Sequence, residues 1–358
     1  MFKTDSALFL ALFVLIGLGL LVLWSVSFQD DPPFLSVKRQ IVFLGIGVGF
    51  FIFFSLLDWR FLNNSSLILF LYFLTLCLLV LVLFVGDKSS GSAGWFDFGV
   101  FSFQPVEIAK IVLLLVLAKY LSSRHLEIWQ FRHLLVSGIF AFIPFGLVAI
   151  QPDLGGAMIL LAIWLGLVII SGIRIKQIVL VIIAFALAAS LAWSFFLEPY
   201  QQSRILSFFN PEKDLLGSGY NREQALIAIG SGRIFGKGLG WGSQTHLRFL
   251  PLAKTDFIFA SLAESLGLVG VSILLICFLI IFQRLIMWAG IFSYNFCKLF
   301  TVGFAIKLIV ETVINIGMNL GLLPIIGIAL PFVSLGGSHL LTDFIGLGII
   351  NSMILHHA

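Results

Sequence analysis

A few ionisable residues interrupt an apolar chain, and they are the side chains able to do chemistry: carboxylates that can exchange a proton, and cations that can hold an anion. Of 358 residues, 60% are hydrophobic and 11% are charged, against about 25% charged in a soluble domain. A charge inside an apolar stretch is costly and is a functional candidate for that reason. Asp256 follows Thr255 where a long polar segment meets an apolar run. Thr255 is expected to cap the helix that opens here. A helix N-terminus favours an ionised Asp256, and burial near lipid opposes it. Glu264 lies two turns further, on roughly the same face, with Ala260, Ala263 and Gly267 between and beyond. Small residues of this kind let helices approach closely or leave a groove.

Glu107 and Lys110 stand at i and i+3 on one helix face, with Pro105 suited to the first turn. They read as an ion pair that orients the helix, as direct contacts to a substrate, or as both. Asp153, after Pro152, suits an N-cap or a first-turn carboxylate. Lys307 and Glu311, at i and i+4, read as a structural ion pair. The glycine-rich run at 236–244 has no βαβ context and is no dinucleotide loop. His246 and His339 lack ligand partners at metal spacing, and Cys77, Cys277 and Cys297 sit in or beside apolar runs as packing residues.

Membrane helices must position these groups. A span needs about 20 apolar residues. Ten candidates fall near 7–28, 40–57, 66–86, 105–121, 134–150, 156–172, 178–197, 257–283, 298–322 and 340–356. The fold class is therefore all-α and polytopic, a single transmembrane domain over 1–358 with one large loop at 198–256 between the seventh and eighth helices. Short-loop charge places both termini in the cytoplasm. Lys3, Arg60, Lys119, Arg124, Arg132, Arg174, Lys176, Arg284 and Lys298 then lie inside, against Lys38, Arg39 and Lys88 outside. The large loop carries Arg204, Arg222 and Lys254 on the outer face, where long loops escape the charge rule. The net charge of +4 reflects inner loops and anionic lipid rather than nucleic acid.

Five polar stretches carry a resemblance: FSFQPVEIAK (101–110), QPDLGGA (151–157), RILSFFNPEKDLLGSGYNREQALIAIGSG (204–232), FLPLAKTDFIFASLAESLGLVG (249–270) and NLGLLPIIGIALPFVSLGGS (319–338). In content and order they resemble the SEDS family of bacterial cell-wall proteins, the RodA branch more than the FtsW branch. Leu252 and Lys254 stand where that family often has an acidic residue and a histidine.

The resemblance implies a peptidoglycan glycosyltransferase of the inner membrane serving cell elongation and shape. Its donor is a glycan on undecaprenyl pyrophosphate and its acceptor is lipid II. Such chemistry requires a base for the acceptor hydroxyl and positive charge for the departing pyrophosphate. Asp256 is expected to be the base. Lys110 and Arg204, then Arg222 and Lys254, are the anion-binding candidates, with Glu107, Asp153 and Glu264 in support. A divalent cation (Mg2+ or Mn2+) near Asp256, Glu107 or Asp153 could share that work. The implied partners are a class B penicillin-binding protein and other membrane proteins of the elongation complex. Two rival readings stay open: a flippase for lipid-linked precursor, which should place its site at mid-membrane in repeated halves, and a non-enzymatic scaffold for a cell-wall synthase.

Overall fold

The computed structural model describes residues 5–86, 94–97, 99, 102–124, 130–195, 202 and 217–356. Helices occupy all ten predicted spans. The first four helices are α1 (Ser6–Val26), α2 (Leu35–Leu56), the short α3 (Trp59–Leu62) and α4 (Ser65–Val85). A small antiparallel hairpin, β1 (Phe96–Asp97) with β2 (Ser102–Phe103), leads into α5 (Pro105–Ser123). Next come α6 (Phe131–Ile150), α7 (Leu154–Ile170) and α8 (Ile175–Phe195). The described part of the large loop contributes α9 (Ser218–Gly232) and α10 (Ser243–His246). The chain then runs through α11 (Ile258–Ile291), α12 (Asn295–Asn319) and α13 (Gly337–Leu355). Among the described residues, seven helices are long and apolar enough to cross a membrane: α1, α2, α4, α6, α11, α12 and α13.

Local chemistry sets the boundaries. Asp5 caps α1 by accepting from the Leu8 amide at 3.1 Å, and Asn64 caps α4 through Ser66, each satisfying an otherwise unpaired first-turn N–H. Pro105 opens α5 at the position where its missing N–H costs nothing. The outer surfaces of the helices are apolar, with Phe13, Leu56 and Phe84 exposed, as a lipid-facing surface requires. α5 is nearly wholly buried and packs against α4, α6, α7, α12 and α13. It is the central helix of the bundle, and it carries Glu107 and Lys110.

Two sequence expectations are corrected here. Asp256 does not open a helix capped by Thr255. The helix starts at Ile258 with Phe257 at the cap, and Asp256 lies in the preceding turn. Nor is Glu264 placed beside Asp256: its carboxylate is bonded to the loop at 237–245. α11 breaks at Gly267, with φ 64 and ψ −160, a conformation open only to glycine at little cost. Residues following α9 fill the break. Leu268 N donates to Arg233 O at 2.9 Å, and Lys237 N and Gly238 N donate to Glu264 O and Ser265 O at 2.9 and 3.1 Å. The loop thus takes over the backbone groups that the break releases, and Glu264 points towards that loop.

Candidate functional site

Four helices, α5, α7, α11 and α13, begin at one cavity of about 330 Å³. Glu107, Lys110, Asp153 and Asp256 all line it, with Trp95, Gln104, Thr255, Gly327, Ser338 and His339. Convergent helix N-termini direct their positive dipole ends at this space, which favours an anion in it.

Each side of the cavity is tied down separately. Asp153 caps α7, accepting from Gly156 N at 2.8 Å and from Gln104 Nε2 at 3.0 Å. Burial pushes its carboxyl above the usual carboxylate range, against the opposing effect of the Gly156 bond. The turn carrying Asp256 is half-buried and held by its backbone. Asn315 Nδ2 and Asn319 Nδ2 donate to Asp256 O at 3.0 and 2.9 Å. Asn315 also reaches Ile328 O at 2.7 Å, so one helix of small amide side chains clamps the 252–256 turn to the 326–330 segment. Ser334 Oγ adds a bond to Thr255 O at 2.7 Å. Gly155 lets α7 approach that segment closely: a Cβ there would lie 2.8 Å from Ile326 O.

The cavity floor is a buried charge network spanning three helices. Lys110 Nζ donates to Glu107 Oε1 at 2.8 Å and to Glu311 Oε1 at 2.9 Å. Lys307 Nζ donates to Glu311 Oε2 at 2.9 Å and also to Asp343 Oδ1. His339 Nδ1 faces Glu107 Oε2 at 3.2 Å. The ion pair of Lys307 with Glu311 is therefore no isolated structural pair; Glu311 joins it to Lys110 and so to the cavity. His339, read from sequence only as a histidine without metal-ligand spacing, lies in the same network, and Asp343 was not singled out by sequence at all. The spacing held a signal for it, because His339 and Asp343 stand at i and i+4 on α13.

Ligand atoms of Glu107, Glu311 and His339 lie within 4.8 Å of one another. Both carboxylates already accept from ammonium groups, so a divalent ion here would crowd positive charge, and the trio does not fit a metal site.

The remaining sequence candidates lie elsewhere. Lys254 Nζ is bonded to Asp30 Oδ1 and, at 3.1 Å, to Ser36 Oγ. Glu264 is fully buried and accepts from Gln244 N at 2.9 Å, Thr245 N at 3.0 Å, Thr245 Oγ1 at 2.9 Å and Lys237 Nζ at 3.3 Å. Arg222 on α9 packs over Gly321. None of these three lines the cavity. Arg204 lies outside the described residues. His246 lines a separate, open pocket with Phe28 and Trp241.

The model of the FtsW, RodA and SpoVE cell cycle protein family matches residues 6–358. Peptidoglycan glycosyltransferase MrdB of Escherichia coli (strain K12) is 36% identical over 352 residues, covering 98% of this chain and 94% of that protein. Stage V sporulation protein E of Bacillus subtilis (strain 168) is 35% identical over 354 residues, with 97% and 95% covered. Among solved structures, a chain of a peptidoglycan synthase complex that coordinates polymerisation and crosslinking matches with TM-score 0.84 at 31% identity, covering 100% of this chain and 99% of its own. RodA of Thermus thermophilus matches with TM-score 0.74 at 30% identity, covering 99% and 98%. Family model, relatives and fold agree over the whole length, and the chain belongs to the FtsW/RodA/SpoVE family, the SEDS proteins.

Proposed function

We propose that this multi-pass membrane protein is a peptidoglycan glycosyltransferase that polymerises lipid II into glycan strands for cell elongation and shape. The observation that carries this reading is the convergence of Glu107, Lys110, Asp153 and Asp256 on one cavity where four helices begin, in a family whose relatives bear that activity in their names.

In this reading Asp256 takes the proton from the acceptor sugar's 4-hydroxyl. That oxygen attacks the anomeric carbon of the donor's terminal sugar from the face opposite the leaving group. The bond to undecaprenyl pyrophosphate breaks, the pyrophosphate oxygen keeps the electron pair, and the α-linked sugar becomes β-1,4-linked. The leaving group is already ionised and needs no acid. Lys110 and the helix N-termini supply its counter-charge. Arg204 is retained as a further cation for it; a Mg2+ or Mn2+ ion, with Asp256 or Asp153 to hold it, would supply the same counter-charge. Glu107 and Glu311 keep the Lys110 ammonium in place rather than meeting substrate.

Positive-inside charge in the short loops supports two cytoplasmic termini and an extracytoplasmic cavity. The match to a chain of a synthase complex supports a class B penicillin-binding protein as partner. A site at helix ends favours an enzyme over a flippase, whose site belongs at mid-membrane.

The test uses purified protein with its transpeptidase partner and fluorescent lipid II, resolving products on a gel. Glycan strands of many disaccharides are expected. Translocation of lipid II across proteoliposomes with no polymer would favour the transporter instead.

A further inference from the structure

The six side chains beneath the cavity do not balance in charge. Glu107, Glu311 and Asp343 bring three negative charges, and Lys110 and Lys307 bring two positive ones. With a neutral His339, one negative charge is left over, and all six residues are buried. An uncompensated charge in such a place is strongly unfavourable.

Hydrogen bonding leads to the same deficit. The His339 ring lies between two carboxylates, with Nδ1 3.2 Å from Glu107 Oε2 and Nε2 3.5 Å from Asp343 Oδ2. A neutral imidazole donates from one nitrogen only. The other nitrogen's lone pair would then face a carboxylate oxygen. His339 Nε2 and Asp343 Oδ2 are indeed buried atoms with no hydrogen-bond partner. One proton between them removes both problems, whichever of the two atoms carries it.

We propose that His339 and Asp343 form a proton-binding site, filled in the folded protein, that neutralises the network and holds Glu107 against Lys110. His339 is thus a positioning residue: it acts on the cavity through Glu107. Among the described residues no other nearby group can replace the proton. The neighbouring titratable side chains are Glu107 and Lys110 on α5, Lys307 and Glu311 on α12, and Asp153 and Asp256 on the cavity wall, two carboxyl groups that can add negative charge and never remove it. Lys38 and Arg39 on α2 and Arg60 on α3, the other helices packed on α13, are exposed. A divalent ion would overshoot, turning one negative charge into one positive beside two ammonium groups.

The folded state then binds a proton that the unfolded state has lost above roughly pH 6.5, so stability must fall as pH rises. We expect the Tm of the protein in nanodiscs to drop by about 3 to 5 °C between about pH 7 and pH 9. Asp343→Asn removes one negative charge and with it the need for the proton. Its Tm should be nearly flat over that range. His339→Gln should lower Tm at about pH 8, and adding Asp343→Asn to it should restore most of the loss. An Asp343→Asn slope equal to wild type, or a double variant no more stable than His339→Gln, overturns the proposal. So does a wild-type Tm that is flat or rises, which decides the matter even if the variants fail to fold. A slope that disappears when sodium replaces potassium, or on EDTA treatment, would assign the missing charge to a metal ion and equally overturn it.

Polymerisation at the same pH values rests on the function proposed above. It should fall on the alkaline side in wild type and less so in Asp343→Asn. No polymer at any pH would contradict that function and leave the Tm result standing.

Discussion

Two groups of polar side chains are buried in this bundle, and they are satisfied in different ways. At the cavity floor, carboxylates on α5, α12 and α13 are matched by two lysines and a histidine from the same three helices. Glu264, equally buried, is matched mostly by backbone: two amide N–H groups and a threonine hydroxyl from residues 244–245, with Lys237 at the edge. The first arrangement fixes helices to one another and opens on a cavity. The second fixes a loop to a helix and lies outside that cavity. A buried carboxylate is therefore not by itself a functional site. What distinguishes the two is where the donors come from and whether the group borders the cavity.

That contrast can be broken at several points. The largest effect is expected at Lys110→Met, which strips Glu107 and part of Glu311 of their counter-charge. Breaking a buried pair from one side costs about 3 to 5 kcal/mol. Thermal unfolding should show a large drop in Tm, and whatever protein survives should make no polymer. Glu264→Ala comes next. It leaves the Gln244 and Thr245 amides without their acceptor, at about 1 to 3 kcal/mol each. Hydrogen exchange should rise across residues 237–246 and stay unchanged in α5, while polymerisation falls less than with Lys110→Met. An equal loss of polymer in the two variants would erase the distinction drawn here.

Asn315→Ala probes the cavity without touching any charge. It removes bonds to Asp256 O and Ile328 O, worth about 0.5 to 1.5 kcal/mol each. Its signature should be a fall in kcat larger than the fall in stability, because the turn presenting Asp256 loosens. The smallest effect belongs to Arg60→Ala. Its pair with Asp58 is exposed on both sides, where an ion pair contributes little. Tm should hardly change and polymer yield should match wild type.

Much of this molecule could be read before its structure. Ten apolar runs gave the ten long helices, because the length of a span is set by the bilayer rather than by tertiary context. Glu107, Lys110, Asp153 and Asp256 stood out because a charge beside an apolar run is rare. Their meeting in one cavity followed from lying at the starts of helices that run in the same direction. What could not be read depended on contacts distant in sequence or on a local break. Glu264 appeared to share a face with Asp256 under continuous helical periodicity, but Asp256 precedes the helix and Gly267 receives the 233–238 loop. The clamp from Asn315 and Asn319 involves amide residues that carry no charge signal. His339 reaches Glu107 across 232 residues. Only its i, i+4 relation to Asp343, parallel to that of Lys307 and Glu311, hinted that two helix faces carried matching charge.

We propose that Asp256, held by its backbone at the cavity wall, removes the acceptor's proton. Asp256→Asn keeps the size of the side chain and every bond made to the Asp256 carbonyl, so the turn should stay clamped and the variant should fold. With lipid II and the transpeptidase partner, this variant should form no glycan strands, whereas wild type forms long ones. Near-normal polymer from a folded Asp256→Asn protein would contradict the account.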